Sequence, residues 1–159
     1  MMTRRAKAQI AAVSGIAAAS LLGGAPVASA ADAGAARTDG AQLTNWSSSM
    51  YNVLTGFQSR RWGDKSYSQI WFTGCSVSGG PNRSTHVDLR WDRPGRPDKS
   101  WGTKKYTACF KSSTSKSNGQ WHGLSSGKHF FQIKKINGLS SGVALGVKKV
   151  YVDTTKKDG

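Results

Sequence analysis

Acid and base chemistry in this chain would have to rest on three histidines and eight aspartates, because the sequence contains no glutamate. His86, His122 and His129 could supply the base and the acid of a two-histidine ribonuclease, with a lysine or arginine on the phosphate. No spacing singles out a pair, however, and scattered surface histidines fit the same pattern. Among the aspartates, only Asp88, Asp92 and Asp98 form a close set for the paired-carboxylate chemistry of glycoside hydrolysis. Asp92 and Asp98 bound a Pro/Gly stretch, where aspartate commonly serves as a turn former. No Gly-x-Ser-x-Gly elbow is present to carry a serine nucleophile. The two cysteines lack the spacing of a zinc knuckle. The reading is a protein without enzymatic activity, cofactor or metal site, ribonuclease being the nearest activity.

Binding chemistry has more to work with. Trp101 lies in a polar stretch with Arg93, Arg96 and Lys99 nearby, a combination that could stack on sugar rings or bases, or else form a lid over the end of the fold. Trp71, Trp91 and Trp121 are expected in the core or at its rim. Lysine pairs stand at 104–105, 134–135, 148–149 and 156–157. Adjacent strand residues point to opposite faces, so these pairs read either as guards of exposed sheet edges or as a binding stripe. A third candidate is the segment 43–66, where Trp46, Tyr51, Phe57, Arg60, Arg61 and Trp62 are spread among Ser, Asn and Gly. Such a segment can order on a partner by adding a strand or laying anchors in a groove, or it can pack on its own domain.

The elements that must position these residues are β-strands. The pattern predicts an all-β, small antiparallel β-sandwich with one disulfide, preceded by an extended or partly ordered N-terminal arm. Apolar and polar residues alternate over 68–77, 85–91, 104–111, 128–136 and 143–152, separated by clusters of Gly, Pro, Ser and Asn. Trp71, Thr73, Cys75 and Val77 fall on one face of the first run, and Val87, Leu89 and Trp91 on one face of the second. Residues 92–98 form a loop by their turn chemistry, as do 112–119 and 138–142. Segment 43–66 has a helix-like spacing weakened by Gly56 and the serines.

The N-terminus reads as an export signal over residues 1–30: a basic start at Arg4, Arg5 and Lys7, an apolar run, and small residues ending at Ala30. The apolar run is too short to span a bilayer. Residues 31–66 are then expected as a flexible arm, 67–153 as the β-domain and 154–159 as a frayed tail. The chain carries a net charge of +15; losing the signal leaves 20 basic residues against 8 acidic ones, a net +12. Such a balance favours acidic partners. Cys75 and Cys109 lie 34 residues apart, and pairing is the expectation in an exported chain, with roughly 3–4 kcal/mol from closing that loop.

Export signal, N-terminal arm and a small β-domain with one disulfide, across residues 42–153, together resemble the small adaptor subunit of the secreted bacterial umbrella toxin particles. The resemblance implies a non-catalytic linker that joins a surface-binding subunit to a larger toxin subunit, with the arm inserted into a partner. The expected function is therefore a secreted, extracellular adaptor whose partners are other secreted protein subunits. An acidic surface or polymer is a further possible partner, with no stable membrane span and no nucleic acid expected. The alternatives are a free-standing cationic antimicrobial effector that binds an anionic cell envelope or cleaves RNA, and a carbohydrate-binding module.

Overall fold

The computed structural model describes residues 45–80 and 83–155. The expected signal (1–30), the lead of the expected arm (31–44) and residues 156–159 of the expected tail lie outside the described residues. Six strands follow in chain order: β1 Trp46–Val53, β2 Trp62–Val77, β3 Thr85–Asp92, β4 Lys99–Tyr106, β5 Lys116–Ile136 and β6 Leu145–Asp153. They form one antiparallel sheet in the order β1-β6-β2-β5-β3-β4. The fold is all-β, with a disulfide between Cys75 and Cys109.

The long strands β2 and β5 make two layers out of this one sheet. Phe72 lies opposite Ser117, and Phe131 follows 14 residues later on β5, about 48 Å away along a straight strand. Yet the Phe72 and Phe131 rings are 5.5 Å apart, so the sheet must double back on itself. The fold-over falls where both strands are irregular: the register shifts twice around Ser66, and Ser66, Gly123 and Gly127 have φ of 71°, 66° and 152°. Gly127 has a second reason to be glycine, because a Cβ there would run into the Trp91 indole. The first layer comprises β1, β6, residues 67–77 of β2 and 116–122 of β5. The second comprises residues 62–64 and 127–136 of the same two strands, with β3 and β4.

The core lies between the layers. Period-two alternation puts Ile70 and Phe72 inside, opposite Val152 and Val150 of β6, and Val87, Leu89, Phe131 and Ile133 come from the other layer. Tyr106 joins the two, with its ring edge-on to Phe72 and its hydroxyl donating to the Ile70 carbonyl at 2.7 Å. The disulfide does the same covalently, tying β2 of the first layer to the turn that follows β4 of the second.

Several expectations need correcting. Residues 45–66, expected as an arm, are built into the domain: they supply β1, a connecting segment and the start of β2. The expected boundary at residue 67 therefore falls inside β2. Trp46, Met50 and Trp62 are large apolar side chains whose burial in the core offsets the entropy of ordering the segment. The run 104–111 is not one strand, since β4 ends at Tyr106 and Ala108–Phe110 forms a single 3-10 turn that carries Cys109. The expected loop 112–119 gives way at Lys116 to β5, which runs to Ile136. The beginning of the expected tail is held by Asn45, which accepts from the Thr154 N–H at 2.7 Å and donates to the Thr155 hydroxyl at 3.1 Å.

Candidate functional site

The residues singled out as partner anchors occupy different environments. Trp46 stacks on Phe131 and leans on Trp62, with ring centroids 6.5 and 5.6 Å apart. Both tryptophans are buried, and Phe57 is half-buried against the same cluster. The Arg60 guanidinium caps Trp46 at 4.8 Å. Arg61 caps Phe130 at 4.3 Å and pairs with Asp92 at 3.0 Å. Of the six, only Tyr51 stands clear as an aromatic, 89% exposed on β1, with Leu54 58% exposed just beyond it. β1 is an edge of the sheet with no charged residue in its sequence.

The expected ligand patch is largely engaged with itself. Trp101 is half-buried between Trp91 and His129, each ring 6.4 Å away, and the Lys99 ammonium sits 4.5 Å over it. Arg93 donates to the Pro97 carbonyl and lies 5.7 Å from the Trp91 ring. Arg96 closes a turn through its backbone N–H to the Arg93 carbonyl and leaves its side chain exposed.

The histidines are not brought together as an acid and base. His86 on β3 faces Lys105 and Lys135 in register, and burial, then those two lysines, lower its pKa. His122, on the first layer, contacts Tyr67, its partner across the β2–β5 pairing. His129, opposite Trp91, is about five strand residues, or roughly 17 Å, from His86. It is fully buried, its Nδ1–H donates to the Gly127 carbonyl, and burial pulls its pKa down to about 4. Asp88 is buried as an acceptor for Ser100 and Thr103 and an ion partner of Arg90. Among the described residues no three His, Cys, Asp or Glu side chains gather as a metal site, and no helix is long and apolar enough to cross a membrane.

The feature that sequence reasoning missed is on the outward face of the first layer. A groove of about 440 Å³ is lined by Gln69, Trp71, Thr73, Lys116, Lys149, Tyr151 and Asp153. Pairing explains the arrangement, because residues directly opposite one another share a face. Trp71 on β2 lies between Tyr151 on β6 and Asn118 on β5; on one side of this row Thr73 lies between Lys149 and Lys116, and on the other Gln69 lies between Asp153 and Gln120. Trp71 belongs to the face shared with Thr73, as expected, but that face is turned away from the core; its neighbours Ile70 and Phe72 fill the interior. Gln69 is 2% exposed, its carbonyl accepts from the Tyr67 hydroxyl at 3.0 Å, and its Nε2 amide has no partner among the described residues.

Beneath this face lies Asp64, fully buried. It accepts from the Ser68 hydroxyl, the Trp62 indole N–H and the Lys65 N–H, but burial outweighs these bonds, and with nearby Asp153 it pushes the carboxyl pKa up to about 6.

No family model, curated protein or solved structure matches this chain.

Proposed function

We propose that this chain is a secreted, non-enzymatic binding protein, an adaptor or accessory subunit of an extracellular toxin complex used in bacterial antagonism. The observation that supports this reading is the contrast between the sheet's two edges. β4 carries Lys99, Lys104 and Lys105 and so is guarded against pairing with another strand; β1 has no charge and presents Tyr51 and Leu54 to solvent. An edge of that kind accepts a strand from a partner subunit through main-chain hydrogen bonds, with the exposed side chains adding specificity. Docking is thereby assigned to β1 rather than to a loose arm.

The test is capture from the native culture medium in high salt with residues 31–159, beside a Tyr51→Asp/Leu54→Asp variant of the same melting temperature. The expected result is a defined secreted protein bound to the first and absent from the second. Equal recovery on both, or none on either, would remove β1 as the docking edge. A cationic effector is the second reading, favoured by the cluster of His86, Lys105 and Lys135 on the other layer; it requires recovery of polyanions that salt washes off.

A further inference from the structure

We infer that the groove over Trp71 and Tyr151 is a binding site for a phosphorylated glycan, with sugar rings on the two aromatics and a phosphate between Lys116 and Lys149. This rests on the outward face of β6, β2 and β5 and is independent of how β1 is used.

The solvent face of an antiparallel sheet is ordinarily polar, so an indole at the centre of one calls for a partner. Trp71 and Tyr151 are directly opposite on neighbouring strands. Together they offer aromatic surface of the kind that takes the face of a sugar ring, with the Lys149 ammonium 6.0 Å from the Tyr151 ring and the sugar hydroxyls left for surrounding polar groups. Those groups are in place: Asn118 in the aromatic row, and Gln69, Gln120 and Asp153 in the row beside it. The unpartnered Nε2 of Gln69 is the most specific of them. A buried amide N–H without an acceptor is costly, and here the residue lines an open groove where a ligand hydroxyl or ring oxygen can accept from it.

Charge gives the ligand a direction. Lys149 and Lys116 flank Thr73, whereas Asp153 flanks Gln69 four residues away on β2, about 13 Å along the strand. An acidic group is drawn to the lysine end and repelled from the Asp153 end, whose carboxylate and amides suit hydroxyls instead. Both cations are lysines, point charges that suit a tetrahedral phosphate, where a carboxylate is better matched by the planar fork of arginine. A nucleic acid strand would also stack a base on Trp71, but its regularly repeating phosphates would bring a charge towards Asp153. A neutral sugar leaves the lysines unanswered, and a bare phosphate leaves the aromatics unanswered.

The experiment titrates residues 31–159 by calorimetry with four probes: a hexose trisaccharide phosphorylated on one terminal sugar, the same trisaccharide without phosphate, inorganic triphosphate, and a short oligothymidylate. The phosphorylated trisaccharide should bind tightest. Trp71→Ala should weaken it at least about tenfold, and Lys116→Gln/Lys149→Gln should reduce it to the level of the neutral sugar. Lys104→Gln/Lys105→Gln, which removes the same charge from the β4 edge, should leave it within about twofold. Should Trp71→Ala melt early, Trp71→Tyr keeps a ring at that position and should retain most of the binding. The proposal is overturned if triphosphate or oligothymidylate binds as tightly, if Trp71→Ala binds normally, if the β4 variant loses as much as the groove variant, or if no probe binds. None of these outcomes alters capture through Tyr51 and Leu54, so this inference and the adaptor reading fail separately.

Discussion

The two outward faces of the folded sheet cover their aromatic side chains to different degrees. On the second layer rings are covered by cations: Arg61 on Phe130, Lys99 on Trp101 and Arg93 near Trp91, at 4.3 to 5.7 Å. On the first layer the Lys149 ammonium lies 6.0 Å from the Tyr151 ring, whereas Trp71 has no such cap among the described residues. An aromatic beside basic residues in the sequence is thus not by itself a ligand patch. When the residues are close along the chain, the cation can satisfy the ring, and the pair stabilises the fold by about 0.5–1 kcal/mol at an exposed site. Trp71 has Gln69 and Thr73 two residues away along β2 and Tyr151 and Asn118 directly beside it, none of them a cation.

The sharpest test of that contrast is to delete one ring of each kind. Trp62→Ala, in the core, should lower unfolding free energy by about 3–5 kcal/mol in urea melts, whereas Trp71→Ala, on the open face, should cost less than about 1 kcal/mol. A large loss at Trp71 would mean its ring holds the layer together and is not held out for a ligand. Next in size is the bond between the layers: Cys75→Ser/Cys109→Ser should cost roughly 3–4 kcal/mol, read as a lowered urea midpoint in non-reducing buffer. An unchanged midpoint would mean that the noncovalent contact of Phe72, Tyr106 and Phe131 suffices to keep the sheet folded over.

Two buried groups near the fold-over titrate in opposing senses. Asp64 has its pKa raised to about 6, so the stability its protonation contributes is present in acid and lost as pH rises through 6. His129 has its pKa lowered to about 4, so the stability of its neutral form is present above 6.5 and lost as pH falls towards 4. Between pH 4 and 6.5 the two partly cancel, each worth up to about 3 kcal/mol. Relative to the wild-type chain, Asp64→Asn should gain stability as pH rises through that window, and His129→Gln should gain it as pH falls. Parallel curves for either variant would show that the group titrates alike in the folded and unfolded chain. The smallest effect belongs to the capped face. Arg61→Ala should cost about 1 kcal/mol through its cation–π contact and its ion pair with Asp92, and a double-mutant cycle with Asp92→Ala would separate the two.

Much of this architecture is legible in the residues. Period-two alternation marks the strands, the Pro/Gly stretch 92–98 marks a turn, and the two cysteines of an all-β chain with an export-like N-terminus form the observed disulfide. The gaps in that reading share one cause. Segment 45–66 reads as an arm because most of what its apolar residues pack on lies far along the chain; Trp46, beside Trp62, meets Phe131 only after the sheet closes. Residues 116–119 read as the end of a loop because Lys116, Ser117, Asn118 and Gly119 include no apolar side chain, while pairing with β2 holds their backbone.

The same cause hid the candidate site. Alternation alone shows that Trp71 and Thr73 share a face, and the composition shows that aromatic and basic residues are available. It cannot say which face of β2 turns inward, because that depends on where β2 and β5 bend and on what β3 and β6 bring against them. Tyr151, Asn118, Lys116 and Lys149 become neighbours of Trp71 and Thr73 through register between strands distant in sequence. What the sequence determined by itself was local: the strands, turns and disulfide chemistry encoded within a few residues of one another. Which tryptophans are buried and which are half-buried was decided only by the tertiary fold-over, because burial depends on partners that the chain supplies from elsewhere.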